Sequence, residues 1–378
     1  MRLSAEEERA LSGEYGEAIA QAYKILVKVG EVLGAEELVP ITHAHASGVS
    51  YATIGEPGTH WLEDLARKGG KVKVFSTINP IGFDPESEII KVDKDFFEGQ
   101  MRIINAFKKM GFHDSLTCTP YYLRRPRPFE RLAWGESSAV IYANSVLGAF
   151  TNREGGPVAV AAALTGKIYK AGLQLLENRR TNYYVKVNFE PEDPAEWSAL
   201  GYVIGEKVVS GIPRLNVRAG DAELKYMLAA SAASGGLPMA VIEGKTPKGT
   251  YLVGDEERLE VERGEALQLF GSPEGADLVF HGCPHASLEE LKALDEMIRE
   301  LRVELWVAVA PEVARKAGDV VRRLARKGVK FVKGTCLVVS PIHKMGIRKV
   351  ATTSAKTYFY LKRKGVDVWM VRLRDLAS

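Results

Sequence analysis

The pattern of roughly the last hundred residues constrains the fold most, because short apolar runs alternate there with helical patterns. The runs of strand length occur at 276–283, 303–309, 329–339 and 366–371. Ser287 and Glu290 have the spacing of a capping box, which opens a helix after the first run. Strands that alternate with helices form a mostly parallel, doubly wound sheet, and ligands bind beyond the carboxyl ends of its strands.

The rest of the chain also has a mixed α/β pattern, so we predict a multi-domain α/β protein with mostly parallel, doubly wound sheets. A strand is expected at 71–80 and amphipathic helices at 94–110 and 312–327, while Ser354 is placed to open a further helix. The predicted regions are an N-terminal α/β region at 1–135, a central α/β region at 136–275 and a C-terminal doubly wound domain at 276–378.

Composition excludes several classes of protein. The chain has 378 residues, of which 46% are hydrophobic and 26% charged, as in a globular protein of two or three domains. The net charge of +3 is nearly balanced and argues against a nucleic-acid partner. No apolar run approaches the ~20 residues that cross a membrane, and the N-terminus lacks the apolar segment of a signal peptide. We therefore expect a cytoplasmic protein with no membrane partner.

The three cysteines, Cys118, Cys283 and Cys336, lie in polar, loop-like settings. An odd number of cysteines is a poor disulfide framework, and the plainest interpretation is three buried thiols. Proline follows Cys283 directly and keeps the backbone there out of a helix. Three sulfurs without a fourth suit a [4Fe–4S] cluster with one open iron, which acts as a Lewis acid. A zinc site of two cysteines with His281 or His285 fits nearly as well.

A second polar stretch follows the apolar residues 38–41. His43 and His45 are two positions apart, so on a strand they share one face. Ser47, Gly48 and Ser50 come next, and glycine lets a ligand approach the main chain. Two half-buried histidines with satisfied hydrogen bonds would be the structural alternative, but we interpret the stretch as a ligand-facing edge.

Further polar residues are predicted at helix starts. Glu136 and Ser137 open a small-residue helix, where free N–H groups can bind an anion and an acidic residue complements the helix dipole. Asn144 and Ser145 lie further along, where a packing role is equally plausible. Lys356 occupies a first turn, which is electrostatically unfavourable for a cation unless it joins the N–H groups in binding a phosphate or carboxylate.

Several long motifs resemble the aconitase X family, a divergent branch of the aconitase superfamily. They are HAHASGVSYATIGEPG, STINPIGFD, LTCTPYY, WGESSAVIYANSVLGAFTNREGGP, HGCPHAS, GTC and TTSAKTYFY, which span nearly the whole chain. The block from WGESSAV to NREGGP is long enough to be specific. One departure is Phe150, where many members are expected to have arginine.

The resemblance implies an aconitase-like fold, hydro-lyase chemistry and an iron–sulfur cluster, most simply [4Fe–4S], held by Cys118, Cys283 and Cys336. The candidates for the group that protonates the leaving oxygen are His43, His45, Glu136 and His281. The candidate substrate-binding residues are Gly48, Val49, Ser50, Asn79, Pro80, Glu136, Ser137, Asn144, Ser145, Arg153, Ser354 and Lys356.

The resemblance also implies a substrate and a partner. The branch that the motifs match dehydrates (R)-5-phosphomevalonate to trans-anhydromevalonate 5-phosphate in a modified mevalonate route. A different hydroxy acid, such as cis-3-hydroxy-L-proline, is an alternative substrate, and a non-catalytic iron–sulfur or RNA-binding regulator is an alternative of another class. Aconitases carry the catalytic base, a serine, on a swivelling domain. The pattern after Val371 leaves no room for such a domain, so we expect a separate small subunit to carry it.

Overall fold

The computed structural model describes residues 1–376. The first part of the chain folds around a three-stranded parallel sheet in the order β3-β2-β4, beside an antiparallel pair β1-β5. The strands are β1 (Leu38–Pro40), β2 (His43–Ala46), β3 (Phe75–Ile78), β4 (Leu132–Trp134) and β5 (Lys167–Tyr169). The helices are α1 (Ala5–Ser12), α2 (Glu17–Val32), α3 (Tyr51–Arg67), α4 (Lys94–Met110), α5 (Ser137–Tyr142) and α6 (Gly156–Thr165).

Local sequence signals explain the best-defined helix of this part. The predicted helix at 94–110 is confirmed as α4. The Asp93 side chain accepts a hydrogen bond from the Phe96 N–H at its start, and Gly111 ends it in the left-handed conformation. In contrast, the predicted strand at 71–80 is shortened to β3, whose carboxyl end leads directly to Asn79 and Pro80.

The middle of the chain forms a four-stranded parallel sheet in the order β8-β7-β6-β9. Its strands are β6 (Tyr183–Val187), β7 (Pro213–Leu215), β8 (Val241–Ile242) and β9 (Glu257–Val261), and its helices are α7 (Pro194–Lys207), α8 (Asp221–Ser234) and α9 (Arg263–Leu267). Helices α7 and α8 pack very closely, since a Cβ atom on Gly201 would lie only 1.9 Å from the Met227 carbonyl oxygen. Any larger residue at this position would push the helices apart.

The last part is a parallel sheet, as predicted, but it has five strands instead of the four expected, because Lys349–Thr352 also forms a strand. Its strands are β10 (Leu278–Ala286), β11 (Leu305–Val309), β12 (Lys330–Lys333), β13 (Lys349–Thr352) and β14 (Asp367–Met370), and its helices are α10 (Leu288–Met297), α11 (Pro311–Lys316), α12 (Gly318–Arg326) and α13 (Ala355–Arg363). The order β12-β11-β10-β13-β14 places β10 in the centre, and the chain winds outward in both directions from it. A crevice therefore opens at the carboxyl ends of β10 and β13.

Two elements differ from the prediction. The helix expected at 312–327 is two helices, because Ala317 leaves the helical conformation between α11 and α12. The strand expected at 329–339 ends at Lys333, so Cys336 lies in the loop beyond it. The capping box of Ser287 and Glu290 is confirmed at the start of α10.

The first and last parts of the chain meet at this crevice. The Ile81 N–H donates a hydrogen bond of 3.0 Å to the Gly334 carbonyl oxygen, and Ser50 Oγ donates one of 3.2 Å to the Val339 carbonyl oxygen. Within residues 1–376, every helix is too short or too polar to cross a membrane.

Candidate active site

A cavity of about 370 Å³ lies where the residues after β2, β3, β4 and β12 and an irregular stretch of β10 face the first turns of α13. Ten of the residues singled out in the sequence line it. They are Gly48, Asn79, Pro80, Cys118, Glu136, Ser137, Arg153, Cys283, Cys336 and Lys356. The two sheets thus present their carboxyl ends to one another, and residues more than three hundred positions apart, such as Gly48 and Lys356, share one site.

The three thiols reach the cavity from three different segments. Cys118 lies in the loop between α4 and β4, Cys283 lies in an irregular stretch of β10, and Cys336 follows β12. Cys283 has a φ angle of 65°, a left-handed conformation that residues other than glycine rarely adopt outside functional sites. All three side chains are otherwise buried, and none forms a disulfide.

Three cysteine thiols at one cavity are a donor set that an iron–sulfur cluster can use. Burial raises the pKa of the Cys118 thiol to about 12. The neighbouring Cys336 thiol, together with burial, raises the pKa of Cys283, and the same contact with Cys283 lowers the pKa of Cys336. Cys283 and Cys336 are therefore close neighbours within the cavity.

The zinc alternative is not supported by the described imidazoles. His285 Nε2 lies 3.1 Å from the Thr335 carbonyl oxygen, and His281 Nδ1 lies 2.8 Å from Thr353 Oγ1. Both rings therefore use a nitrogen atom for a buried hydrogen bond, and neither lines the cavity with the thiols.

A buried ion pair forms the polar wall of the cavity. Lys356 Nζ contacts the Glu136 carboxylate and lies 3.2 Å from both Ser137 Oγ and Ser138 Oγ. Asn79 Nδ2 donates a hydrogen bond of 2.7 Å to Glu136 Oε2. Burial by itself would raise the pKa of Glu136, but the Lys356 ammonium and the Asn79 amide outweigh it and hold this pKa well below its usual value. Glu136 is therefore ionised at neutral pH.

His45 acts on this pair through Asn79. His45 Nε2 lies 3.1 Å from Asn79 Oδ1, which only accepts, so Nε2 carries the proton. His45 Nδ1 then accepts from the Thr77 hydroxyl at 2.8 Å, and Thr77 Oγ1 accepts in turn from His43 Nε2 at 2.9 Å. Burial lowers the pKa of His45 to about 4, so the ring is neutral. The histidine pair thus orients Asn79.

Comparison with known proteins decides the family. Family models described as the first, second and third domains of aconitase X match residues 1–177, 181–270 and 276–378. The chain belongs to the aconitase X family. It is similar to a solved structure described as the holo form of Thermococcus kodakaraensis aconitase X, with a TM-score of 0.92, 36% identity and 100% of both chains covered.

Curated relatives fall into two groups. The chain is 41% identical to the phosphomevalonate dehydratase large subunit of Methanocaldococcus jannaschii, covering 96% of this chain and 95% of that protein. The corresponding large subunit of Thermococcus kodakarensis is 38% identical over 100% of this chain and 98% of its own. The cis-3-hydroxy-L-proline dehydratase of Hypocrea jecorina is 32% identical over 95% of this chain but only 65% of its own length.

Three predicted acid–base candidates of this aconitase X chain do not line the cavity. His43 and His45 lie on β2 beneath it, and His43 packs edge-on against Trp134 with ring centroids 5.2 Å apart. His281 lies deeper on β10, where its Nε2 is 3.4 Å from the Tyr226 hydroxyl. Glu136 is the one acid–base candidate that faces the cavity.

Five predicted substrate-binding residues have partners within the protein instead. The Val49 carbonyl oxygen accepts from Gln100 Nε2, while Ser50 binds the loop after β12. Asn144 Nδ2 donates to the carbonyl oxygens of Thr151 and Pro238. Ser145 Oγ accepts from the Ala240 N–H, and Ser354 Oγ donates to the Cys283 carbonyl oxygen at 2.5 Å. These side chains shape the loops around the site.

The cavity also contains residues that sequence reasoning missed. They are Thr53, Gly135, Val338, Val339 and Tyr360. Tyr360 lies four residues after Lys356 on α13, so helical spacing was a signal that could have identified it. Gly135 is required by packing, because a Cβ atom there would lie 2.4 Å from Ser47 Oγ.

Phe150, the departure from the family motif, lies outside the cavity. It is buried, and the Arg179 guanidinium stacks on its ring at 4.0 Å from the centroid. An arginine at position 150 would place its guanidinium against that of Arg179 in a buried position. Phenylalanine avoids this repulsion.

Proposed function

We propose that this chain is the large, substrate-binding subunit of a hydro-lyase that dehydrates (R)-5-phosphomevalonate to trans-anhydromevalonate 5-phosphate. The observation that carries the proposal is the convergence of three thiols from three segments on one cavity beside the Lys356–Glu136 pair. Relatives named phosphomevalonate dehydratase large subunit match the chain at up to 41% identity, whereas the hydroxyproline dehydratases match at 31–32%.

In this proposal Cys118, Cys283 and Cys336 hold an iron–sulfur cluster of the [4Fe–4S] type. When bound, such a cluster would supply a Lewis-acidic iron. Cysteines bind metal as thiolates, so loading releases protons from thiols such as Cys118, whose pKa burial raises, and it is more favourable at higher pH. Because such a cluster needs reduced cysteines, we also propose a cytoplasmic location for the enzyme.

The chain's own residues bind and orient the substrate. Arg153 is exposed at the cavity and forms no ion pair within residues 1–376, which makes it available to a phosphate or carboxylate. Gly48 brings main chain to the same wall. Glu136 is ionised and cannot supply a proton to a leaving hydroxyl. Burial alone would lower the pKa of Lys356, but the Glu136 carboxylate outweighs it and raises this pKa, so Lys356 stays a cation that can hold an anionic group of the substrate.

The base that removes the substrate proton is assigned to a small subunit. The chain covers 95% of the Methanocaldococcus jannaschii large subunit but only 65% of the fungal hydroxyproline dehydratase. We infer that the remaining third of the longer relative corresponds to a swivelling domain with a serine base, which here is a separate chain. Arg153, which is exposed at the cavity, marks the side from which the partner would approach.

The test is to co-express the chain with its small subunit, reconstitute the complex with iron and sulfide anaerobically, and assay water loss. We expect turnover of 5-phosphomevalonate, none of mevalonate or cis-3-hydroxy-L-proline, and almost none without the small subunit. Cys118→Ser should abolish turnover and reduce bound iron. Thr119→Ser is the matched control, because Thr119 is buried in the same loop but does not line the cavity. Turnover that persists in all three Cys→Ser variants would refute the proposal.

A further inference from the structure

A second buried lysine–glutamate pair lies behind the cysteine loops, away from the cavity wall. Lys225 on α8 contacts Glu290 on α10, and their side chains are only 1% and 9% exposed. Two charges removed from water are costly unless both are paired and hydrogen-bonded. Burial alone would raise the pKa of Glu290, but the Lys225 ammonium, with the nearby His281 ring, lowers it, so the pair is ionic.

The remaining hydrogen bonds of this pair go to the main chain of one short turn. Lys225 Nζ donates a hydrogen bond of 3.0 Å to the His285 carbonyl oxygen. Glu290 Oε2 accepts from the Ser287 N–H at 2.9 Å. The ion pair therefore holds the turn that leaves β10 at two points, only two residues after Cys283.

His285 in turn contacts all three cysteine loops. Its N–H donates a hydrogen bond of 3.2 Å to Cys118 Sγ. Its Nε2 lies 3.1 Å from the carbonyl oxygen of Thr335, the residue before Cys336. His285 itself follows Cys283 by two residues, so one residue joins the three segments that carry the thiols.

We propose that the Lys225–Glu290 pair is a positioning device that clamps His285 and thereby sets the relative placement of Cys118, Cys283 and Cys336. Lys225 and Glu290 are positioning residues, since neither lines the cavity. The role of this placement in holding a cluster rests on the proposed function, whereas the clamp itself is a property of the chain without a cluster.

Lys225→Met/Glu290→Gln is the decisive variant, because it removes one positive and one negative charge and leaves the net charge unchanged. Glu290→Gln alone is the second variant, in case the double variant does not fold. Lys167→Met is the matched control: it breaks the partly buried pair of Lys167 with Glu7, which contacts no cysteine loop.

The first readout is amide hydrogen exchange of the chain without a cluster. With the clamp removed, residues 285–287 should exchange roughly tenfold faster or more, since they lose a charge-assisted hydrogen bond. The control should leave this segment unchanged. Exchange at 285–287 that is the same in wild type, Glu290→Gln and the double variant would overturn the clamp.

The second readout is the midpoint potential of the reconstituted protein. A weaker N–H bond to Cys118 leaves the sulfur more electron-rich, so the potential should fall in the double variant and not in the control. A wild-type chain that binds no cluster would refute the proposed function while the exchange experiment still tests the clamp. A loaded double variant with the wild-type potential would overturn the link from clamp to thiols.

Discussion

Two buried lysine–glutamate pairs of the same composition have different surroundings in this protein. Lys356 and Glu136, 5% and 13% exposed, are ringed by side-chain hydroxyls and an amide and form a wall of the cavity. Lys225 and Glu290 lie behind the thiol loops and form their further hydrogen bonds with main-chain groups. The comparison teaches that the neighbours decide the role: side-chain partners leave a polar surface for a ligand, whereas main-chain partners fix a loop.

The largest effect on stability is expected when one partner of the Lys225–Glu290 pair is replaced. Lys225→Met leaves Glu290 buried without its cation, which should lower the free energy of unfolding by about 3–5 kcal/mol. Denaturant titration of the purified chain measures this. Lys225→Met/Glu290→Gln should recover part of the loss, because no uncompensated charge remains. A loss below about 1 kcal/mol in the single variant would mean that the pair is not buried as described.

Substitution in the Lys356–Glu136 pair, which forms a wall of the cavity, should instead lower turnover. Lys356→Met is expected to lower kcat/KM of the complex by about 10²–10³-fold, since it removes the cation of the cavity wall. Lys362→Met is the control on the same helix, because Lys362 contacts only Tyr358 nearby. Equal activity of the two variants in the dehydration assay would contradict the assignment of Lys356 to the site.

A third buried glutamate, Glu154, tests whether a neighbouring lysine is needed to keep a buried glutamate ionised. Glu154 forms no ion pair within residues 1–376; its carboxyl group contacts the Tyr169 hydroxyl and the Asn152 amide, and burial raises its pKa from 4.5 to about 7. The folded state therefore holds the proton more tightly than the unfolded chain. The proton on Glu154 therefore stabilises the folded state. This contribution is fully present below the unfolded pKa near 4.5 and is lost as pH rises through about 7.

The free energy of unfolding should therefore fall by about 3 kcal/mol between pH 4 and pH 8 on account of Glu154. Comparing wild type with Glu154→Gln across this range isolates the contribution, because glutamine does not titrate. A difference between the two proteins that does not vary with pH would show that Glu154 is ionised in the folded state.

The smallest effect is expected at an exposed pair. Lys94 Nζ lies 3.6 Å from Glu98 Oε1, and the two side chains are 83% and 60% exposed. Lys94→Ala should change the free energy of unfolding by less than about 0.5 kcal/mol, since water already solvates both charges. A larger loss of unfolding free energy in denaturant titration would contradict the view that burial makes the Lys225–Glu290 and Lys356–Glu136 pairs stronger than an exposed pair.

Local patterns in the sequence were enough for the elements themselves. The helix Lys94–Met110, the capping box of Ser287 and four of the five parallel strands after residue 276 follow from periodicity and capping, which act over a few residues. Cys118, Cys283 and Cys336 could be singled out by residue type and flanking residues. Their common cavity could be expected only through the family resemblance.

Only the tertiary structure decided which polar residues face the cavity. Lys225 and Glu290 looked like ordinary helix residues, since no sequence pattern links positions 65 residues apart. Conversely, His43 and His281 looked like site residues but pack beneath the cavity. The physical reason is that periodicity predicts one face of an element, whereas strand order and helix packing determine what that face meets.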